Sequence, residues 1–261
     1  MSTNRGPNPI SVAWFVFRAQ RVSSPNPQGA ATGEHDALGA ALDTLRTEGI
    51  KALPSLRGPL SAYRDRAAEL DPDQMTEADA LAYWLNLYNA GALDLAVEAS
   101  QAGVSSVLRV PGAFNTPWVR VQGEALSLTQ IEHGKIRRLG DPRIHGALVC
   151  GSASCPSLRF EPYLGPKLDS QLDDQLRNFL AAGGASIDRS RTVLILSRIL
   201  LWYGGDFTSP QRMPTWLPPT RAKLASAIAP WLDVDTRDWV KSAKPRVAFM
   251  AYNWELACSV A

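Results

Sequence analysis

Apolar residues recur at helical spacing through most of the chain. Ala37, Leu38, Ala41, Leu42 and Leu45 predict a helix over 34–48 that Gly49 stops, and Leu60–Leu70 continues a helical region up to Asp71-Pro72. The strongest prediction is 76–102. Leu81, Leu85, Tyr88, Ala92, Leu95 and Ala99 form one stripe, and Ala80, Trp84, Leu87 and Gly91 occupy the opposite face. A helix apolar nearly all round is a buried one. Thr76 is placed to cap it, Glu77 and Asp79 complement the helix dipole, and Gly103 ends it. A second amphipathic helix is predicted over 167–182, and a third over 220–232.

Strands are fewer and come late. Trp118–Val121 reads as a strand before a Gly123-Glu124 turn, 192–196 as a β-branched strand, and 247–252 as another. Ile144–Cys150 is also expected to be a strand, which would set His145 and Cys150 on opposite faces. Ser127 and Thr129 open a helix through Glu132 and His133 to Leu139. Thr129 with Glu132 fits a capping box, which would give Glu132 a backbone role as the alternative to a chemical one. Residues 210–219 form a Pro-rich loop. Scattered strands among many helices predict an α+β fold, mostly helical with a small antiparallel sheet around one long buried central helix. Residues 1–33, rich in Pro, Gly, Ser and Asn, read as a largely unfolded N-terminal segment whose removal the fold tolerates, and 34–261 as a single α+β domain.

At 261 residues, 45% hydrophobic and 20% charged, the chain has ample material for a core. Its net charge of +2 gives no pull toward nucleic acid, and no run of about 20 apolar residues predicts a membrane span. Ile10–Phe17 is apolar behind Arg5 in the manner of an export signal, but no small-x-small cleavage site follows, so the expected location is cytoplasmic, with export as the alternative. Three cysteines exclude a complete disulfide framework.

The densest chemistry lies between Asp141 and Leu158, which holds Arg143, His145, Cys150 and Cys155 around a Gly-Ser-Ala-Ser loop. Pro156 is suited to start a helical turn, which would set Cys155 at a helix N-terminus. There the dipole and backbone N–H groups favour a thiolate, with thiol pKa values of about 3.5–7.5. Cys155 is then a nucleophile and His145 or His133 its base. The plain alternatives are a buried structural thiol, above all at Cys150, or a Cys150–Cys155 bridge in an oxidising compartment. Zinc held by the two cysteines with His133 and His145 is the weakest reading, since no second cysteine pair exists. No metal and no cofactor are expected.

Tyr83-Trp84-Leu85-Asn86-Leu87-Tyr88-Asn89-Ala90, Leu126-Ser127-Leu128, Ile131-Glu132-His133, Asp141-Pro142-Arg143-Ile144-His145, Cys150-Gly151 and Ser154-Cys155-Pro156-Ser157-Leu158 follow in order. Leu196-Ser197, Trp202-Tyr203, Asp206-Phe207 and Tyr252 with Trp254 come after them. Together they resemble the domain of unknown function 547 family over about residues 75–256. The family is distantly similar to papain- and transglutaminase-like cysteine enzymes, which implies a buried helix packed on strands that bring in a histidine. Asn253 stands where the family pattern implies an aspartate, and Asn86 stands where such enzymes place their cysteine.

The expected catalytic residues are Cys155, His145, His133 and Glu132, with Arg143, Asn86, Asn89, Ser154, Cys150 and Asn253 binding substrate. Asn86 and Asn89 would floor the cleft, and the same residues could instead form a buried polar cluster pinning a strand to the central helix. The expected function is that of a thiol-dependent hydrolase or transferase acting on an amide or thioester, in a small molecule or peptide. The alternative is a non-catalytic module that binds a small ligand or a partner.

Overall fold

The computed structural model describes residues 9–215 and 218–260, with the side chains of 9–12 left aside. Trp216 and Leu217, in the expected Pro-rich loop, lie outside the described residues, as does the beginning of the N-terminal segment. The fold is α+β. It divides into two compact units, the first drawn from Met1–Leu139, Leu148–Asp169 and Asn253–Ala261, the second from Gly140–Ala147 and Ser170–Tyr252.

The first unit is built on α4 (Glu77–Gln101), preceded by α1 (Pro9–Ala19), α2 (Asp36–Glu48) and α3 (Leu53–Ala68). Thr76 caps α4 as expected, its hydroxyl accepting from the Asp79 N–H at 3.1 Å. Eighteen of its 25 residues are buried, among them Trp84, Leu85, Asn86, Leu87 and Asn89. α3 begins seven residues earlier than the expected Leu60 and runs through Pro59. A hairpin follows, β1 (Pro117–Val121) and β2 (Glu124–Ser127), turning at Gly123 with φ 79°.

The stretch after the hairpin changes helix type twice: α5 (Leu128–Gln130), a π turn over Ile131–Lys135 and a 3₁₀ turn over Ile136–Leu139. Its capping box is Ser127 with Gln130, not Thr129 with Glu132. The Thr129 hydroxyl donates to Asn115 instead, and Glu132 is left to the π turn. π turns concentrate at functional sites.

Residues 9–33 differ from the expected unfolded segment. α1 packs on this stretch: a Cβ on Gly134 would meet the Ala19 carbonyl at 2.5 Å and Val22 at 2.3 Å. Lys135 Nζ donates to the Ser23 carbonyl at 2.8 Å and to Glu124 at 2.8 Å. Arg138 donates to the carbonyls of Gln20 and Val22. Composition favoured disorder, but two cations of the neighbouring turn take up the backbone carbonyls that the segment cannot pair itself.

The second unit holds a three-stranded sheet in the order β3 (Ala185–Asp188), β4 (Val193–Leu196), β5 (Arg246–Phe249). β3 and β4 pair antiparallel, Ala185 opposite Leu196, and β4 and β5 parallel, Val193 opposite Arg246. The sheet is therefore mixed rather than wholly antiparallel. A parallel neighbour needs a long crossover, supplied by α7 (Arg198–Trp202), α8 (Gly204–Thr208), α9 (Arg221–Ile228) and α10 (Val234–Ala243). α6 (Leu168–Phe179) leads into β3 through a turn at Gly183. Among the described residues no helix is long and apolar enough to cross a membrane.

Candidate active site

The cysteine loop belongs to the first unit. Gly151, with φ 72°, turns the chain so that Cys155 comes back on Cys150. A side chain at Gly151 would be strained and would crowd Val107 at 3.2 Å. Cys155 Sγ then accepts two hydrogen bonds, from the Cys150 backbone N–H at 3.1 Å and from the Ser152 hydroxyl at 3.3 Å. The same Ser152 oxygen lies 3.2 Å from Cys150 Sγ. Because a hydroxyl has one proton, giving it to Cys155 makes the Cys150 S–H the donor to Ser152. All three cysteines are thiols, each half-buried, and no disulfide joins them. Burial, with Cys155 nearby, pushes the Cys258 thiol up to about 12.

The C-terminal segment straps this loop. Ala153 N–H donates to the Glu255 carbonyl at 2.9 Å, Ala257 N–H to Gly151 at 3.0 Å and Leu158 N–H to Ser259 at 2.8 Å. Asn253 N–H donates to the Ser154 hydroxyl at 2.8 Å. No helix starts at Pro156, so the expected helix N-terminus behind Cys155 is absent. The donors that face its sulfur are a loop N–H and a serine hydroxyl.

The expected strand 144–150 is also absent. Asp141 caps a 3₁₀ turn over Pro142–Gly146, with Pro142 at its start, and the chain continues irregularly. His145 and Cys150 are therefore not set on opposite faces of a strand. Asn89 Oδ1 accepts from the Val149 N–H at 3.1 Å, a bond that a neighbouring strand would otherwise make. Asn86 clamps another irregular segment, its Nδ2 donating to the Tyr163 carbonyl at 2.8 Å and its Oδ1 accepting from the Tyr163 N–H at 2.9 Å.

In the second unit, His145 is buried with Nε2 2.8 Å from Asp206 Oδ2, and Asp206 Oδ1 accepts from the Thr215 N–H at 3.0 Å. The ring stacks on Tyr203, centroids 4.1 Å apart and planes 17° from parallel. A carboxylate accepts, so Asp206 makes Nε2 the protonated nitrogen of the neutral ring. The resemblance placed a carboxylate expectation at Asn253, but the partner of His145 is Asp206. Asn253 turns its side chain on Glu255, accepting from that residue's N–H at 3.0 Å. Arg143 pairs with Asp141, Nη2 to Oδ2 at 2.7 Å, and lies 3.8 Å from Asp173.

Glu132 and His133 sit on the π turn of the first unit. Glu132 Oε2 accepts from the Tyr88 hydroxyl at 3.2 Å, and its Oε1 is 3.7 Å from His133 Nε2. His133 Nδ1 is 3.1 Å from Arg137 Nη1, which makes Nδ1 the acceptor. Ser152 and Asp206 were not singled out from the sequence. Ser152 stood two residues from Ser154 in the same loop, and Asp206 stood inside a motif that the resemblance had already marked.

Together these features define an α+β protein with a thiol cluster in one unit and a buried histidine–aspartate pair in the other. The model of a family described as "Protein of unknown function, DUF547" matches residues 72–180. That segment runs from the turn before α4 through the cysteine loop and α6, and it bears out the family resemblance read from the motifs within it. No curated protein gave a match to the chain, and neither did any solved structure.

Proposed function

We propose that the protein is a thiol-dependent enzyme, a hydrolase or transferase acting on an amide or thioester, with Cys155 as its nucleophile. The observation that carries this reading is the pair of donors, Cys150 N–H and Ser152 O–H, aimed at one sulfur. Hydrogen bonds to the charged form favour it, and the thiolate is the nucleophilic species. A thiolate attacks the substrate carbonyl carbon, and the acyl group passes to sulfur as the amine or thiol leaves.

His145 is retained as an acid–base candidate on the strength of its own surroundings. Asp206 fixes its tautomer and orients the ring, whereas His133 has the Arg137 guanidinium on one side and the Glu132 carboxylate on the other. Glu132 and His133 are retained as catalytic candidates. Arg143, Asn86, Asn89, Ser154, Cys150 and Asn253 are retained as substrate-binding or positioning candidates, Asn86 and Asn89 through the backbone they clamp.

Timed alkylation with iodoacetamide at neutral pH, read by peptide mapping, tests the nucleophile. Cys155 is expected to react at least about tenfold faster than Cys258, whose thiol burial keeps protonated. Equal, slow labelling of the two would overturn the assignment.

A further inference from the structure

We infer that Cys150 and Cys155 form a peroxide-driven modification site, in which Cys155 is oxidised, Cys150 resolves it as an intramolecular disulfide, and Ser152 carries the proton between them. The inference rests on the reading of Cys155 as a reactive thiol and adds a partner and a regulation to it. The observation behind it is a chain of three groups: Cys150 Sγ to Ser152 Oγ at 3.2 Å, and Ser152 Oγ to Cys155 Sγ at 3.3 Å. Ser152 itself is buried, so one hydroxyl shielded from bulk water touches both sulfurs. Gly151 supplies the turn that a bridge across four intervening residues requires.

In the first step the Cys155 thiolate attacks one oxygen of a peroxide. The S–O bond forms, the O–O bond breaks, and the departing hydroxide takes up the proton that the Cys155 thiol gave to solvent on ionising. Sulfur loses two electrons and becomes a sulfenic acid. In the second step Cys150 sulfur attacks Cys155 sulfur, the S–S bond forms and the S–O bond breaks. The hydroxide that leaves Cys155 receives a proton from Ser152, which takes the Cys150 proton in turn. Two thiols and one peroxide thus yield one disulfide and two waters, and a dithiol reductant reverses the change.

Cys258 is the competing partner, since its sulfur lies 4.0 Å from where a Cβ on Gly151 would stand. It is the poorer one. Burial and the neighbouring Cys155 hold its thiol protonated, pushed up to about 12, whereas Cys150 shares the Ser152 hydroxyl with Cys155. The bridge therefore discriminates between two nearby thiols on chemistry rather than on distance alone.

The test uses the whole reduced protein, one equivalent of hydrogen peroxide, an alkylating quench and peptide mapping after trypsin, which releases 144–159 as one peptide. The expected product is that peptide lighter by two hydrogens and unalkylated, with Cys258 alkylated. Cys150→Ser should leave a sulfenic acid at Cys155 that dimedone traps, and Ser152→Ala should slow bridge formation at least about tenfold. A bridge to Cys258, or oxidation of Cys155 beyond sulfenic acid while Cys150 still alkylates, overturns the inference. So does a Cys155 that alkylates rapidly yet never bridges, an outcome that leaves the proposed nucleophile standing. Slow alkylation of Cys155 with no bridge removes both.

Discussion

Replacing Asp206 tests the second unit most sharply. The carboxylate is fully buried, with Oδ2 against His145 Nε2 at 2.8 Å and Oδ1 against the Thr215 N–H at 3.0 Å. Asp206→Ala strips the acceptor from both donors, and each buried donor left unmade costs about 1–3 kcal/mol. Removing one partner of a buried pair costs about 3–5 kcal/mol, and that is the loss expected for Asp206→Ala. Asp206→Asn keeps the shape and the acceptor for Thr215. Its amide nitrogen can only donate to His145 Nε2, so the ring must move its proton to Nδ1, and a loss of about 1–2 kcal/mol is expected. Urea denaturation of both variants measures the two losses, and ¹⁵N imidazole NMR reads the His145 tautomer. An Asp206→Ala protein with the parent's midpoint, or an Asp206→Asn protein still protonated at Nε2, would refute the pairing as the constraint on this ring.

Three further outcomes follow from other sites. Burial lowers His35 from 6.5 to about 4 against the pull of Asp79 and Asp36. The unfolded chain therefore binds a proton that the native state refuses between these values, and stability should fall by about 3 kcal/mol as pH drops from 6.5 to 4. His35→Gln should flatten that part of a denaturation-versus-pH series, and an unchanged slope would assign it elsewhere. Leu85 has no exposed surface, so Leu85→Asp should abolish folding. If residues 34–261 are one cooperative domain, as we propose, hydrogen exchange should show protection lost in 170–252 as well. Deleting residues 2–30 removes the Ser23 partners of buried Lys135, and a drop of at least about 6 °C in Tm is expected. A drop under 2 °C would show that the docking contributes little.

How much of this was legible follows from where each backbone hydrogen bond is satisfied. α4 was legible because its own residues satisfy its backbone, and apolar side chains on every face state that it is buried. β4 was legible for a similar reason, since Val193–Leu196 is apolar throughout, with β-branched Val193 and Ile195. The run 144–150 looked equally apolar, yet it is a 3₁₀ turn and an irregular segment. Asp141 and Pro142 bias the local geometry to a turn, and the amide N–H of Val149 is taken by Asn89. A side chain sixty positions away did what a strand neighbour would have done, and no local pattern records that. The capping box moved by two residues for a smaller reason: Ser127 and Thr129 carry the same chemistry, and the hairpin register ends at Ser127.

The cysteine site shows the same division between chemistry that is written locally and geometry that is not. The residue types around Cys155 were readable, and they pointed to a thiolate through a helix dipole. The donors that face the sulfur come instead from a Gly151 turn. That turn is held in place by residues 253–259, about a hundred positions downstream. Each strap bond lies between backbone groups or small hydroxyls, so it carries almost no side-chain signature. A peptide of the loop alone would keep Cys150, Ser152 and Cys155 but lose the restraint that aims Cys150 N–H and Ser152 O–H at one sulfur. The reactivity proposed for Cys155 is therefore a property of the closed chain, and it should appear only once the C-terminal segment has joined the loop.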